Sequence, residues 1–267
     1  MSNNLRIAFR FLTAKKRAML MSLACIVLGV GLFIVTQATT TGIEKLFSRA
    51  IVGADGAISI EDEIQFTLRT ITAEALNGRG QQAEGQKFIP GIDEPALVKE
   101  ALEKFDSISA MSQVLRGTVN VSSSFKNENA RQVYGIDLDD HRRISGLDRQ
   151  IVFGSLADFE ARPGGALIGR ELADRLELQV GDSFSIEAQN RWHPFRVCAI
   201  YQTGISDYDK LRIFIHLDEA RSLLRRPSGV TLIQIQLHDA GRAVEVARHI
   251  EQSIGYTAKP WQVREQV

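Results

Sequence analysis

Residues 18–43 form the sequence AMLMSLACIVLGVGLFIVTQATTTGI, which contains no Asp, Glu, Lys or Arg. A hydrocarbon core about 30 Å thick is crossed by roughly 20 apolar helical residues, so this stretch can span a membrane with some tilt. No acidic residue occurs before Glu44, and five cations precede the stretch: Arg6, Arg10, Lys15, Lys16 and Arg17. Because basic flanks remain on the cytoplasmic side, we expect a cytoplasmic N-terminus and an extracytoplasmic domain after the transmembrane helix.

A short amphipathic helix is predicted before the span. The apolar residues of segment 5–12 recur at helical spacing, and Arg6 and Arg10 lie off their face. We expect residues 1–17 to form a basic cytosolic helix on the membrane surface. The alternative is a cleaved signal peptide, whose apolar region is typically about 7–15 residues and ends in a small-residue cleavage site. Segment 36–41 shows no clear A-x-A pattern, which favours an uncleaved anchor.

The charge balance argues against nucleic acid as a partner. Lys plus Arg and Asp plus Glu each total 32, but removing the five N-terminal cations leaves 27 basic against 32 acidic residues. A nucleic-acid-binding domain requires a basic surface, and this excess is acidic. The roughly 220 residues after the span can hold one large or two small domains. Cys25 lies in the span, and Cys198, in a strand-like segment, is expected to be a buried, inert thiol rather than a reactive one.

The first half of the domain mixes helical and strand patterns, which indicates an α+β fold class. The predicted elements are a helical stalk over 44–53, a strand over 57–61, a helix over 95–105, strands over 110–124 and 132–136, and a turn with a short helix over 137–145. Gly and Gln crowd residues 75–92, which we interpret as a long polar loop without an assigned role.

The second half has the clearest periodicity. The predicted strands cover 166–168, 183–187, 195–201, 211–216 and 231–238, with a hairpin tip at 189–193 and a turn at 203–210. Helices are predicted over 170–176, over 218–224 with Asp218 as its cap, and from Asp239 or Gly241 onward. The apolar stripe of the last helix consists of Ala243, Val244, Val246, Ala247 and Ile250.

Three local strings resemble the N-terminal half of a MacB/FtsX-type ABC transporter permease, the class that includes the lipoprotein-releasing Lol permeases. The strings are LRIAFRFLTAKKR at 5–17, GALIGRELADRLELQVGD at 165–182 and FRVCAIYQTGISDYDKL at 195–211. Each string alone is weak, but their order and spacing are fairly specific, and the resemblance covers nearly the whole chain. It implies one transmembrane helix with a stalk, followed by a MacB-like periplasmic core domain.

In that family the periplasmic domain has two lobes. Carried over, a βαβ-rich Porter-type lobe takes residues 54–127 plus 228–260, and an inserted, strand-rich Sabre-type lobe takes 128–227. The strand–helix units at 57–105 and 231–253 are then expected to pair into one sheet layer. Family permeases continue into three further spans after the positions matching Trp261 and Glu265. Segment 261–267 is therefore expected to approach a second span, and the chain is either a fragment of a four-span permease or a free-standing one-span relative.

No catalytic or cofactor site is predicted. Gly164, Gly165 and Gly169 are not followed by Lys and Ser/Thr as in a P-loop, so ATP hydrolysis would belong to a separate subunit. The histidines lack zinc-ligand spacing, and Ser155 lacks the flanking glycines of a nucleophile elbow. The polar cluster of Asp137, Asp139, Asp140 and His141 is better explained by helix capping than by a metal ion.

Several residues are predicted to mediate contacts. The basic cations before the span are expected at the membrane surface. Small residues within the span can let another helix approach closely, and these are Ala18, Ser22, Cys25 and Gly29. Trp192, Tyr208 and Asp209 lie in predicted loops and are partner-contact candidates, with packing on their own lobe as the alternative.

Two functions from different classes are compatible with the sequence. The resemblance implies a permease-type subunit of an inner-membrane ABC system that transmits ATP-driven motion to its periplasmic domain, for lipoprotein release, efflux or control of cell-wall hydrolases. Its partners would be an ABC ATPase, a second permease copy or paralogue, and a periplasmic carrier or cargo protein. The alternative is a single-span, membrane-anchored periplasmic adaptor without transport activity.

Overall fold

The computed structural model describes residues 16–61 and 91–264. The helices are α1 (Lys16–Asp55), α2 (Pro95–Leu102), α3 (Leu138–Ile144), α4 (Leu147–Gln150), α5 (Leu156–Glu160), α6 (Arg170–Leu176), α7 (Ser206–Leu211), α8 (Leu217–Leu223), α9 (Ala243–Ile254) and α10 (Trp261–Arg264). The strands are β1 (Ile58–Glu61), β2 (Ile108–Ser122), β3 (Asn127–Ile136), β4 (Ile151–Gly154), β5 (Gly165–Gly169), β6 (Ser183–Ala188), β7 (Arg191–Tyr201), β8 (Arg212–His216), β9 (Leu232–Leu237) and β10 (Thr257–Pro260). A 3-10 helix, Ala240–Arg242, precedes α9.

Helix α1 carries the predicted span and the predicted stalk in one element. Its segment Leu20–Ile43 is long and apolar enough to cross a membrane, and none of it is buried inside the protein. Thr36, Thr39 and Thr40 donate their hydroxyls to carbonyls four residues earlier, at 2.8–3.0 Å. These bonds satisfy polar groups that would otherwise be costly in hydrocarbon. The helix ends at Asp55, two residues beyond the predicted end of the stalk.

Within the described residues, all ten strands belong to one sheet, in the order β10-β1-β9-β2-β3-β8-β5-β7-β4, with β6 joining β2 to β7. The predicted pairing of the first and last strand–helix units is confirmed, because β1 pairs antiparallel with β9, with Ile58 opposite Ile235. Two pairs, β3 with β8 and β5 with β7, are parallel. The 15 residues of β2 are long enough to pair with β9 at their start and with β6 at their end.

Six strands close into a ring, because β6 returns from β7 to β2 and completes the path β2-β3-β8-β5-β7-β6. One hydrophobic cluster contains residues of these strands together with α6 and α8, including Val121, Val133, Ile168, Ile186 and Ile215. Closure removes exposed edges from this part of the sheet.

A second cluster packs β1, β9 and β10 against α2 and α9. Ile58, Ile60, Ile233 and Ile235 alternate along their strands and meet the apolar faces of these two helices. Because side chains alternate across a strand, the intervening residues, such as Gln234, face the opposite side of the sheet. That side is packed by α3, among other elements, and the functional site lies there.

Several local predictions are corrected. Short elements were missed, namely α4, β4, α5 and β10. Residues 206–211 are helical rather than a turn, and the hairpin turn is confined to the residues between β6 and β7. Asp218 lies within the first turn of α8 and does not cap it. Val244 is largely exposed, so it does not belong to the buried stripe of α9. Cys198 is a buried free thiol, and burial raises its pKa, as expected of an inert cysteine.

The cap of α3 gives a first testable prediction. Asp137 accepts a hydrogen bond from the Asp140 amide at 3.1 Å, which confirms the capping interpretation for Asp137. Replacing Asp137 with Ala should lower the free energy of unfolding by about 1 kcal/mol, because one amide at the helix start loses its acceptor. Chemical denaturation of the detergent-solubilised chain measures the loss. Asp137→Ser should retain most of the stability, and an Asp137→Ala protein as stable as the wild type would contradict the prediction.

Candidate functional site at the end of the first helix

The C-terminal end of α1 passes into β1 through one glycine. Gly56 has a φ of +72°, and a Cβ atom there would lie 2.7 Å from the carbonyl oxygen of Ile235. Glycine is therefore required both by the backbone conformation and by the close approach of β9. The next residue, Ala57, donates its amide to Ile235 at 2.8 Å and accepts from the amide of Trp261 at 2.9 Å. The end of α1 is fixed between the last two strands of the chain.

A buried ion pair joins this helix end to the ring of strands. Arg212, the first residue of β8, donates from both terminal nitrogens to the Asp55 carboxylate, at 2.6 and 2.9 Å. Gln234 on β9 donates its side-chain amide to the same carboxylate at 3.0 Å. Asp55 is 6% exposed and Arg212 is 8% exposed. A bidentate pair removed from water is strongly directional, so it fixes the last residue of α1, Asp55, to the first residue of β8.

Aromatic rings enclose the guanidinium. The central carbon of Arg212 lies 3.3 Å from the ring centroid of Tyr208 and 4.8 Å from that of Tyr134. Burial alone would lower the pKa of Arg212, but the Asp55 carboxylate together with Tyr134 and Tyr208 outweighs it and holds the pKa above its ordinary value. Burial raises the pKa of Tyr201 well above its usual range, and its hydroxyl donates to the Arg212 carbonyl at 2.9 Å. The pair is therefore charged, and its tyrosine neighbour is neutral, across the physiological pH range.

A second contact holds the backbone of α1. The carbonyl of Gly53, in the last turn of the helix, accepts the amide of Gly146 at 2.7 Å and the side-chain amide of Gln150 at 3.2 Å. Carbonyls at the end of a helix have no partner within it, so these two bonds supply one. We refer to Gly53, Asp55, Gln150, Arg212 and Gln234 together as the α1 joint.

Next to the α1 joint, four buried polar atoms have no hydrogen-bond partner among the described residues. They are both ring nitrogens of His141, the Ser112 hydroxyl oxygen and the Gln234 side-chain oxygen. His141, on α3, is 1% exposed, and its ring lies 5.2 Å from that of Phe214. Burial lowers the pKa of His141 to about 4, with Asp55 raising it and Arg212 lowering it. The imidazole is therefore neutral at pH 7.

A cavity of about 410 Å³ opens beside the ion pair. Arg212, Tyr208 and Gln234 line it, together with Glu61, which forms ion pairs with Lys259 at 3.2 Å and Arg116 at 3.9 Å. The charged groups around it are paired, and the described lining contains no nucleophile held by a base. The cavity therefore leaves space beside the Asp55–Arg212 pair.

The structure brings one predicted contact residue to the α1 joint and separates the others. Tyr208 is half-buried against Arg212, so its ring serves the joint. Asp209 is 2% exposed, and its carboxylate accepts from the amide and hydroxyl of Thr203, so it is not available to a partner. Trp192 is 52% exposed and lies in β7 opposite Glu187, so it remains a candidate for partner contact.

The predicted membrane-associated residues lie in or before α1. Arg6, Arg10 and Lys15 are outside the described residues, and Lys16 and Arg17 begin the helix. Ala18, Ser22, Cys25 and Gly29 lie in the same helix, and the last three are exposed in this chain. Their roles in membrane contact and helix packing stay predictions.

Sequence analysis missed the central pair of the site. Asp55 and Arg212 are 157 residues apart, and neither belongs to a motif. A usable signal exists, because Asp55 ends the helical stalk and Arg212 directly precedes the apolar run Ile213-Phe214-Ile215. A lone charge at the edge of an apolar element is a candidate for a buried pair, since isolated buried charges are costly.

Comparison with known proteins identifies the class. The model of the MacB-like periplasmic core domain matches residues 19–253, so the chain belongs to that family. The family resemblance inferred from the three sequence strings is thereby confirmed. Together with the apolar helix α1, family membership indicates an inner-membrane protein with a mixed α/β periplasmic domain.

Individual relatives agree with this assignment. The chain is 22% identical over 269 residues to "Lipoprotein-releasing system transmembrane protein LolC" of Xylella fastidiosa strain 9a5c, and the match covers 91% of this chain and 56% of that protein. The same protein of strain Temecula1 is 22% identical over 266 residues, covering 90% of this chain and 55% of its own length. The chain thus spans about half the length of these curated relatives.

A solved structure shares the fold. The crystal structure of the periplasmic region of MacB from Actinobacillus actinomycetemcomitans superimposes with a TM-score of 0.50 at 13% sequence identity. The match covers 81% of this chain and 93% of that one. At this identity the likeness concerns the fold alone.

Proposed function

We propose that this chain is a permease-type component of an inner-membrane ABC system, in which α1 carries ATP-driven motion to the periplasmic domain. The observation that carries the proposal is the α1 joint. The helix that contains the apolar segment Leu20–Ile43 runs without interruption to Asp55, where a buried bidentate pair fixes it to the ring of strands. A continuous helix is a stiff element, and a displacement of its membrane segment would act directly on this pair.

We assign two lobes to the periplasmic domain. The buried residues of the cluster that packs β1, β9 and β10 against α2 and α9 lie within residues 54–127 and 228–260 and would be the core of the Porter-type lobe. The ring of strands lies mainly within 128–227 and would be the Sabre-type lobe. Strand β2 belongs to both, so a change in its pairing would couple them. The α1 joint then links the two lobes, because Gln234 belongs to the first and Arg212 to the second.

The topology would place the N-terminus in the cytoplasm, in agreement with the basic residues that precede the span. Residues 1–17 would lie on the inner membrane surface. Strand β10 pairs with β1, with Pro260 opposite Ile58, so α10 begins beside the end of α1. A segment that followed α10 would therefore start beside the last residues of α1. Partners would be an ABC ATPase and a second permease copy or paralogue.

The cargo is inferred at the level of class only. LolC belongs by its name to a lipoprotein-releasing system, which favours an acylated protein passed to a soluble periplasmic carrier. Efflux of small molecules or peptides, or control of cell-wall hydrolases, would use the same proposed movement. Trp192 is the exposed aromatic residue that we propose for contact with a periplasmic protein. The alternative function is a single-span adaptor that uses this domain without transport.

Affinity purification from native membranes in mild detergent, followed by mass spectrometry, tests the proposal. We expect an ABC ATPase to co-purify with the chain. Peptides that map beyond Val267 would identify a longer permease, and an ATPase without such peptides would indicate a split permease. Recovery of neither would overturn the transport function and favour the adaptor.

A further inference from the structure

Two of the unpartnered atoms near the α1 joint are the ring nitrogens of His141. The Asp55 carboxylate is held by Arg212 and Gln234, while the imidazole of His141, close enough for both charges to act on it, has no hydrogen-bond partner among the described residues. A buried polar group without a partner destabilises the state that contains it. In this state of the protein, the His141 ring therefore has one hydrogen-bond donor and one acceptor that bind no described residue.

The segment that carries His141 also holds the backbone of α1. Gly146 and Gln150, just after α3, bind the carbonyl of Gly53, two residues before Asp55. If α1 shifts, the Gly53 contact and the Asp55 contact must change together. The cavity of about 410 Å³ beside Arg212 gives the guanidinium room to part from Asp55, and Glu61 is a second carboxylate that lines it.

We propose that the α1 joint has two arrangements. In the closed one Arg212 binds the Asp55 carboxylate, and in the open one His141 binds it instead. The imidazole takes one proton from solvent in that step and pairs as imidazolium with Asp55, while Arg212 remains charged between Tyr134 and Tyr208. Opening of the joint is thereby coupled to uptake of one proton. The inference rests on the proposed function only in that movement of α1 is what opens the joint.

The charges around His141 determine the sign of the effect. In the closed arrangement, burial and Arg212 oppose protonation, and Asp55 favours it. The titratable and charged groups of α3, its cap, the elements packed against it and the nearby ion pair are Asp55, Lys99, Arg116, Tyr134, Asp137, Asp139, Asp140, Arg142, Arg143, Asp148, Arg149, Tyr201 and Arg212. On α3, Asp140 pairs with Lys99 and Arg143, and Arg142 pairs with Asp148. Asp55 is the group that raises the pKa of His141. When Arg212 separates from Asp55, the carboxylate stabilises the imidazolium more strongly, so opening becomes easier as the pH falls.

Hydrogen exchange of the Gly146 amide in the full chain, in nanodiscs, measures opening, because that amide is bonded to Gly53. After correction for intrinsic exchange, we expect its protection factor to fall by up to about tenfold per pH unit between pH 8 and pH 6, as uptake of one proton requires. The amide of Ile213, within the ring of strands, reports global unfolding and should stay better protected. Equal protection of the two amides would overturn the proposal.

Two variants separate the exchange of partners from a structural role of His141. His141→Gln can still hydrogen-bond Asp55 but does not titrate, so opening should persist and lose its dependence on pH. His141→Phe removes the second partner altogether, so protection of Gly146 should rise and stay constant with pH. His249→Gln, at an exposed histidine on α9, is the control and should behave as the wild type. A pH dependence that survives in both His141 variants would overturn the proposal.

The measurement needs no ATPase, so it is independent of the purification experiment. If protection of the Gly146 amide in the wild type does not depend on pH, but an ATPase co-purifies with the chain, the exchange of partners is rejected and the transport function is retained. The converse result would reject transport and leave a proton-linked joint in an adaptor.

Discussion

Replacing Arg212 with Met should lower the free energy of unfolding of the domain by about 3–5 kcal/mol, since breaking a buried pair leaves an uncompensated charge behind. Asp55 would retain Gln234 as a donor, but it would lose both bonds from the guanidinium. The rings of Tyr134 and Tyr208 would lose the cation they enclose. Chemical denaturation of the detergent-solubilised chain, followed by tryptophan fluorescence, measures the change.

Two controls identify the cause of that loss. The double variant Asp55→Leu with Arg212→Met removes both charges and should recover much of the stability, because apolar replacement of a buried pair is often neutral or stabilising. Arg242 also forms an ion pair, with Glu245, but at the surface, so Arg242→Met should change stability little. Similar losses in Arg212→Met and Arg242→Met would show that the Asp55–Arg212 pair is not the buried connection described here.

The proposed transmission of motion from α1 to the periplasmic domain should depend on the Asp55–Arg212 pair. A double variant that restores stability without the charges would keep α1 attached while removing the directional contact. We therefore regard stability and coupling as separable at the α1 joint. In a transport assay with the co-purified ATPase, the restored double variant would hydrolyse ATP without moving cargo if the pair transmits the motion.

The parts of the fold that sequence predicts well are those with long, unbroken patterns. A single uncharged stretch of this length can satisfy its backbone N–H and C=O groups within a membrane only as a helix. A helix was therefore the expected structure of residues 18–43. Strict alternation in β9 and helical spacing in α9 each persist for several residues, and both elements were found at nearly the right bounds. Strand β4 and helices α4 and α5 have four or five residues each, too few for a period to emerge.

The functional site was less predictable, because it is assembled by topology. In the sheet, β8 is separated from β1 by β9, β2 and β3. Asp55, at the end of α1, nevertheless contacts Arg212 at the start of β8. No local pattern specifies such a pairing. His141 illustrates the same limit, since an adjacent acidic cluster suggested helix capping. Capping is correct for Asp137, but the burial of His141 depends on the strands beneath α3.

Acid should destabilise the protein through His141. Burial lowers its pKa in the folded state to about 4 from an ordinary value of 6.5. Between these two values the unfolded chain binds more protons than the folded one, so stability is fully present above about pH 6.5 and decreases as the pH falls toward 4. At about 1.4 kcal/mol per pH unit, the full loss is about 3 kcal/mol. Denaturation curves at intervals between pH 7.5 and pH 4.5 measure the slope.

The contribution of His141 is isolated by the difference between variants. His141→Phe does not titrate and can still pack against Phe214, so its stability should fall less steeply with acid, and the difference from the wild type should grow below pH 6.5. His249→Gln removes an exposed histidine and should leave the slope unchanged. Parallel curves for the wild type and His141→Phe would mean that the pKa of the imidazole is the same in the folded and the unfolded chain, so that burial does not oppose its protonation. That result would also remove the basis for a proton-linked α1 joint, because the closed arrangement would then not hold His141 in its neutral form.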